Sequence, residues 1–263
     1  MTSERAEDQG FDPDFAYSEE AAIRRHSFGA WAQDYDRYRP GYPPEVLEFL
    51  LSQVPGDGTV VDIGAGTGQL ARGLLGLGAN VIGVEPDDRM REVLAGVVGS
   101  DRALAGTAER IPLPDASVDA VFGSQMWHWV DITKAVPEVA RVLKPGGTLG
   151  IIWNLRDDRV DWIRAMNEFV PIADSYKWFT SNERPVLGDP FGPVSLHEFV
   201  HTHPIDAEAL VGLVGTISVV ALGDDAPHRL QQVRELANTH PSLAGRASFD
   251  MPYVCKVFTA RRR

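Results

Sequence analysis

The chain holds one cysteine, Cys255, among its 263 residues. That excludes an internal disulfide and a cysteine-built metal site, and it fits a reducing compartment, the cytoplasm. Cys255 falls in an apolar, strand-like run and reads as a small core residue. No apolar stretch approaches the roughly 20 residues of a membrane helix, and the polar, acidic segment Met1 to Gly10 is not built like a signal peptide. Basic residues are also in short supply: 25 Lys and Arg stand against 37 Asp and Glu, a formal net charge of −12. So acidic a chain is a poor partner for nucleic acid or an anionic membrane, and Arg261-Arg262-Arg263 reads as a solvated end. The same excess disfavours an acidic substrate, although a local pocket can override it. The seven histidines are scattered; His201 and His203 are too few for a metal site, and no H-E-x-x-H helix occurs. There is no internal repeat and no low-complexity tract. The remaining composition, 44% hydrophobic, is that of an ordinary globular chain, long enough for one large α/β domain with additions.

Against these absences stands one dense motif. Residues Val60 to Gly68 read Val-Val-Asp-Ile-Gly-Ala-Gly-Thr-Gly, and a second apolar run, Asn80-Val-Ile-Gly-Val-Glu85, ends on a carboxylate. A buried strand (Thr59 to Ile63), a glycine turn and a helix (Gln69 to Leu77) place Glu85 where a ribose sits in a dinucleotide-type fold. One glycine allows the sharp turn, one lets backbone approach a ligand, and one lets helix pack against strand. Gly64, Gly66 and Gly68 form G-x-G-x-G, whereas a pyrophosphate on a helix N-terminus calls for G-x-G-x-x-G; Gln69 takes the place of the third glycine. No lysine follows in the turn, which excludes a phosphate-cradling P-loop. Asp62, two residues before the first glycine, is a poor neighbour for pyrophosphate and a good one for an ammonium group.

Strand and helix then alternate. Strands are expected at Thr59 to Ile63, Asn80 to Glu85, near Arg102 to Ala105, at Val118 to Gly123 and at Thr148 to Trp153. Helices are expected at Gln69 to Leu77, Asp87 to Val97 and Ile132 to Val142, with a turn at Lys144-Pro145-Gly146-Gly147. This rhythm implies a doubly wound, mostly parallel sheet with helices on both faces. Before it, helical patterning runs in pieces to Arg37, and Pro43-Pro44-Glu45 opens a helix through Leu51. After it come helices at Asp161 to Phe169, Asp206 to Gly215 and Pro227 to Asn238. Strands at Val194 to Thr202 and Asp250 to Ala260 complete a seven-stranded sheet. The chain divides into an N-terminal arm and lid (1–45), a Rossmann-like core (46–156), a substrate cover (157–193) and a segment that completes the sheet and adds lid helices (194–263).

The glycine turn with Asp62 resembles motif I of the class I S-adenosylmethionine-dependent methyltransferases. From Asp34 to Asn154 the chain is similar to their small-molecule branch, which includes the ubiquinone/menaquinone and trans-aconitate enzymes. Asp34-Tyr-Asp-Arg-Tyr-Arg-Pro40, the Asp62–Gly68 turn with Glu85, Thr107-Ala-Glu109-Arg-Ile-Pro-Leu-Pro-Asp-Ala-Ser-Val-Asp119 and Arg141-Val-Leu-Lys-Pro-Gly-Gly147 carry the likeness, in that order. It implies that S-adenosyl-L-methionine is the cofactor. Tyr35, Arg39, Asp62, Gly64, Ala65, Gly66, Gly68, Glu85, Pro86, Met90, Thr107, Ala108, Glu109, Gln125 and Met126 would hold it. Within that set Glu85 takes the ribose hydroxyls, Asp62 the ammonium unless it only caps the following helix, and Glu109 the adenine side unless it is a solvated loop acid. Tyr35 and Arg39 meet the methionyl part. The resemblance implies no metal: the acid set of the metal-dependent catechol enzymes is missing. An Asn-Pro-Pro-Tyr motif, which would suit amino-N-methylation, is missing too.

Gln125-Met-Trp-His-Trp129 leaves strand four at the carboxyl edge of the sheet, where α/β ligands bind. His128 is the candidate general base, its ordinary pKa suited to neutral pH, with a packed core histidine as the alternative. Trp31, Tyr42, Trp127, Trp153 and Trp162, with Tyr176, Trp178 and Phe179, are candidates for an aromatic acceptor pocket, though large aromatics are also buried for packing alone. The expected activity is methyl transfer to oxygen or carbon of a small, hydrophobic or aromatic acceptor, by a monomer or homodimer. An NAD(P)-dependent oxidoreductase and a non-catalytic cofactor-binding protein are the rivals.

Overall fold

A computed structural model describes residues 32–170 and 183–263. Trp31, Tyr176, Trp178, Phe179 and the arm before residue 32 lie outside the described residues.

Among the described residues two helices precede the sheet: α1 (Ala32–Tyr38) and α2 (Pro44–Ser52). The core then runs β1 (Thr59–Ile63), α3 (Gln69–Gly76), β2 (Asn80–Val84), α4 (Asp88–Val98), β3 (Ala103–Leu104), β4 (Val118–Ser124), α5 (Ile132–Val142) and β5 (Leu143–Arg156). Beyond it lie α6 (Asp161–Asn167), β6 (Ser195–Ile205), α7 (Ala207–Gly215), α8 (Ser218–Ala221), α9 (Ala226–Thr239) and β7 (Phe249–Arg261). The seven strands form one sheet in the order β3-β2-β1-β4-β5-β7-β6. The first five pair in parallel, while β7 runs antiparallel between β5 and β6.

Alternation along each strand sorts the apolar side chains between two layers. Val61, Ile63, Val121, Leu149 and Ile151 pack with α5. Val60, Val81, Ala120, Phe122 and Ile152 pack with α2, α3 and α4 on the other face. A third cluster joins α6, α7 and α9 to Ile205, Phe249, Met251 and Tyr253, forming a cap past the carboxyl ends of the parallel strands.

The expected strands and helices of the core are present within one or two residues of their bounds. The exception is β5: residues 144–147 form no separate turn before it but lie inside a 14-residue strand. Pairing slips there, from Val118 opposite Leu143 to Ala120 opposite Thr148, so the extra residues are taken up as a bulge. Helix α8 had no counterpart in the sequence pattern. Because β2 and β3 are laid down on one side of β1, and β4 and β5 on the other, a crevice opens between β1 and β4.

Candidate functional site

The glycine turn after β1 is held by its own backbone and by Glu85. The Gly66 amide donates to Glu85 Oε2 at 2.8 Å and the Asp87 amide to Oε1 at 2.9 Å. Each oxygen accepts one bond from the protein and keeps capacity for a second. Glu85 is buried, and desolvation raises its carboxyl, opposed by those two amides. Gly66 adopts φ +56°, and a Cβ there would meet nothing within 4 Å. Gly68 adopts φ +88°, and its Cβ would sit 2.9 Å from Leu94 Cδ1. The division of labour expected of the glycines is thus visible: Gly66 leaves room on the cavity side, and Gly68 lets α4 pack against the turn.

A cavity opens over this turn. Its wall includes Tyr35, Arg39, Gly64, Gly66, Glu85, Pro86, Met90, Thr107, Ala108, Glu109, Gln125 and Met126, twelve of the fifteen residues assigned to the cofactor. Ala65 and Tyr42 line a smaller adjoining pocket beside the turn. Gly68 lies behind, at the N-terminus of α3. Asp62 is fully buried, and its Oδ2 accepts from the Ala71 amide at 3.0 Å. It therefore caps α3 from the strand. Its Oδ1 and the buried Thr67 Oγ1 have no hydrogen-bond partner among the described residues. Burial pushes the Asp62 carboxyl up to about 8.

Glu109 faces the cavity while Oε1 accepts from the Asp131 amide at 2.8 Å. Arg141 secures the loop that carries Glu109 by donating to the carbonyls of Ile111 and Leu113. Gln125, at the exit of β4, takes φ +57°, a strained backbone for a residue with a side chain. It is held by its amide on the Ile152 carbonyl and by Nε2 on the Asn154 carbonyl.

Four sequence assignments are corrected. His128 is 1% exposed, does not line the cavity, and packs against the rings of Trp129 and Trp153 at 4.5 and 6.0 Å. Burial lowers it to about 3, which makes the neutral ring a weak base, and its place in the core keeps it from a proton in the cavity. Trp127, Trp153 and Trp162 are core residues; among the described tryptophans, Trp129 is the one on the cavity wall.

The far wall includes the lid helices expected within 194–263, although the sequence singles out none of its residues. Asn154, Leu155 and Arg156 at the end of β5, Met166 of α6, Leu213 to Val219 around α7 and α8, and Met251 and Tyr253 of β7 contribute to it. Arg39 joins the N-terminal helix to this cap: Nε donates to Thr216 Oγ1 and Nη2 to the Thr216 carbonyl, both at 2.9 Å. Its guanidinium also lies 5.0 Å over the Tyr35 ring. A β6–β7 signal was legible in the alternation of those strands, but apolar wall residues such as Leu213 look in sequence like any core leucine.

The residues fit an S-adenosylmethionine-sized ligand with an ammonium group. A glycine leaves open space at the wall, a carboxylate pair of acceptor sites faces it, and a buried carboxylate oxygen beneath the turn lacks a donor. Among the described residues no group of three or more His, Cys, Asp or Glu could hold a metal ion, and no helix is long and apolar enough to cross a membrane.

Comparison with known proteins agrees. Residues 61–151 match a family described as a methyltransferase domain. The chain is 41% identical over 235 residues to an uncharacterized methyltransferase of Mycobacterium bovis, covering 87% of this chain and 92% of that protein. It is 29% identical over 241 residues to an uncharacterized methyltransferase-like protein of Schizosaccharomyces pombe, covering 87% and 93%. In fold it is similar to a candidate type II methyltransferase of Anaeromyxobacter dehalogenans, with a TM-score of 0.58, 22% identity, and 85% and 97% of the two chains covered.

Proposed function

The chain belongs to the class I S-adenosylmethionine-dependent methyltransferases, and on that premise we propose that it methylates oxygen or carbon of a small, hydrophobic acceptor. S-adenosylmethionine is the cofactor. When bound, it supplies an electrophilic methyl group on a sulfonium that leaves without needing a proton.

What the protein contributes is grip, orientation and exclusion of water. Glu85 takes the ribose hydroxyls on the oxygen capacity left over from Gly66 and Asp87. Thr107, Ala108 and Glu109 flank the adenine, Pro86 and Met90 support it, and the Gly64–Gly68 turn takes the amino-acid end with Gln125 and Met126 beside it. Asp62 acts on the ammonium from beneath, directly or through water. Arg39 and Tyr35 meet the methionyl carboxylate. The acceptor enters from the side of the cap, where Leu213, Val214, Ile217 and Met251 keep water from the reacting atoms. Positioning and desolvation then supply most of the rate. The core at 46–156 binds the cofactor, while the segments around it cover the acceptor. The buried single cysteine supports a cytoplasmic setting.

The pairing of Gly66 with Glu85 on one cavity wall carries this reading. Calorimetric titration of the purified protein with S-adenosylmethionine, S-adenosylhomocysteine and NADH tests it. Tight binding of NADH alone would overturn it. A labelled methyl donor with a panel of acceptors, read by product mass and fragmentation, then identifies the atom methylated.

A further inference from the structure

The cavity is divided by charge. Its carboxylates among the described residues, Glu85, Asp87 and Glu109, all stand at the end of β2 or on the loop that follows β3. Among the described residues two guanidiniums line it: Arg156 stands with Tyr253 at the other end of the same sheet edge, where β5 meets β7, and Arg39, just after α1, lies between that end and the glycine turn.

Strand register builds that end. Arg156 of β5 pairs with Tyr253 of β7, and Tyr253 pairs with His201 of β6, so the three side chains share a face. His201 stacks on the Tyr253 ring at 5.3 Å with the planes 16° apart, and its Nε2 lies 3.0 Å from Asn154 Oδ1. The phenol is therefore fixed from behind. Tyr253 is 4% exposed and lines the cavity, and its hydroxyl makes no hydrogen bond with a described residue. Burial pushes that hydroxyl up to about 12 against the pull of the Arg39 and Arg156 guanidiniums. It remains a donor at neutral pH, close enough to both cations to feel them. Arg156 is anchored through Nη2, which donates to the Val170 carbonyl at 2.8 Å. Arg39 is tied to Thr216 and serves the methionyl end.

Resting on the methyltransferase reading above, we propose that the acceptor is a carboxylic acid with an apolar body. Arg156 and the Tyr253 hydroxyl hold its carboxylate, and Leu155, Met166, Leu213, Val214, Ile217 and Met251 enclose its hydrocarbon part. A carboxylate accepts from a guanidinium and a phenol at once, with a charge that an amide or alcohol lacks. The formal charge of −12 opposes an anion at long range. At physiological salt that field is screened within about 8 Å, so the nearby cations decide the matter inside the cavity.

The test uses the full chain saturated with S-adenosylhomocysteine, titrated calorimetrically with 4-phenylbutanoate and with its primary amide. The acid is expected to bind at least tenfold tighter than the amide. In Arg156→Gln and in Tyr253→Phe that preference should shrink to threefold or less, with S-adenosylhomocysteine affinity within twofold of the unmodified protein. Tyr253→Phe keeps the packing against His201, so it reports even if the arginine variant does not fold. Equal binding of acid and amide, or a preference untouched by Tyr253→Phe, would overturn the proposal while leaving the cofactor reading in place. Failure of the unmodified protein to bind S-adenosylhomocysteine would overturn both.

Discussion

The amide of Gly66 donates to Glu85 Oε2 across 2.8 Å, which couples the turn after β1 to the end of β2. One carboxylate thus shapes the turn and faces the cavity. Glu85→Ala should weaken S-adenosylhomocysteine binding by about 1–3 kcal/mol, the range for a charge-assisted bond lost from a buried site. It should also lower the melting temperature, because two part-buried amides lose their acceptor. Glu85→Gln keeps one acceptor oxygen and should lose less stability. Unchanged affinity in both variants would remove Glu85 from the cofactor site.

Gly66 and Gly78 form a matched pair. Both have positive φ, +56° and +83°, and at neither would a Cβ meet anything within 4 Å. Alanine at either position therefore pays about the same left-handed strain, roughly 1–2 kcal/mol. Only Gly66 lines the cavity. Gly66→Ala should weaken S-adenosylhomocysteine tenfold or more, and Gly78→Ala should leave it unchanged at a similar melting temperature. Equal affinities would show that the space beside Gly66 is not where the ligand lies.

Asp62 should make cofactor binding release a proton. Desolvation lifts its carboxyl to about 8, with the Ala71 amide opposing and the Glu85 charge adding, so at pH 7 it is mostly protonated. An ammonium group nearby favours the carboxylate, and the proton leaves. Binding enthalpies in buffers of different ionisation enthalpy should differ at pH 7, where the ligand's own amino group is already an ammonium; Asp62→Asn should lose most of that difference. The same sign governs folding. The native carboxyl titrates above the unfolded one, so the stability it contributes is complete below the ordinary carboxylate range and disappears as pH rises through about 8. Asp62→Asn should flatten that decline in urea titrations.

His128 is expected to matter for packing rather than proton transfer. Its ring fills a fully buried site against Trp129 and Trp153, so His128→Ala should cost about 2–4 kcal/mol of stability, as large-to-small core changes do. Between pH 6 and 9 the shape of the rate profile should not change. A lost inflection in that window would restore the histidine to the reaction.

The cofactor half was legible because its chemistry dictates residue types. Only glycine suits the turn at Gly66, only a carboxylate serves two vicinal hydroxyls, and both fall at fixed offsets from apolar strands. The acceptor half follows no such rule. Leu213 and Ile217 line the cavity with side chains indistinguishable from buried neighbours. Arg156 and Tyr253 are nearly a hundred residues apart in sequence and meet only through the antiparallel β5–β7 register. His128 misled for the opposite reason: a histidine between two tryptophans at a strand exit suits a site or a core equally well, and burial alone separates them. The bulge inside β5 escaped because Lys144-Pro-Gly-Gly147 has turn composition, which a bulge shares.

The place of β7 between β5 and β6 carries a consequence for biogenesis. A ribosome delivers β7 after every other strand of the sheet. Until it arrives, β5 presents a long row of unpaired amides and carbonyls, and β6 has no neighbour to join. A nascent chain paused there offers an open template for aggregation, and chaperone dependence should concentrate in that interval.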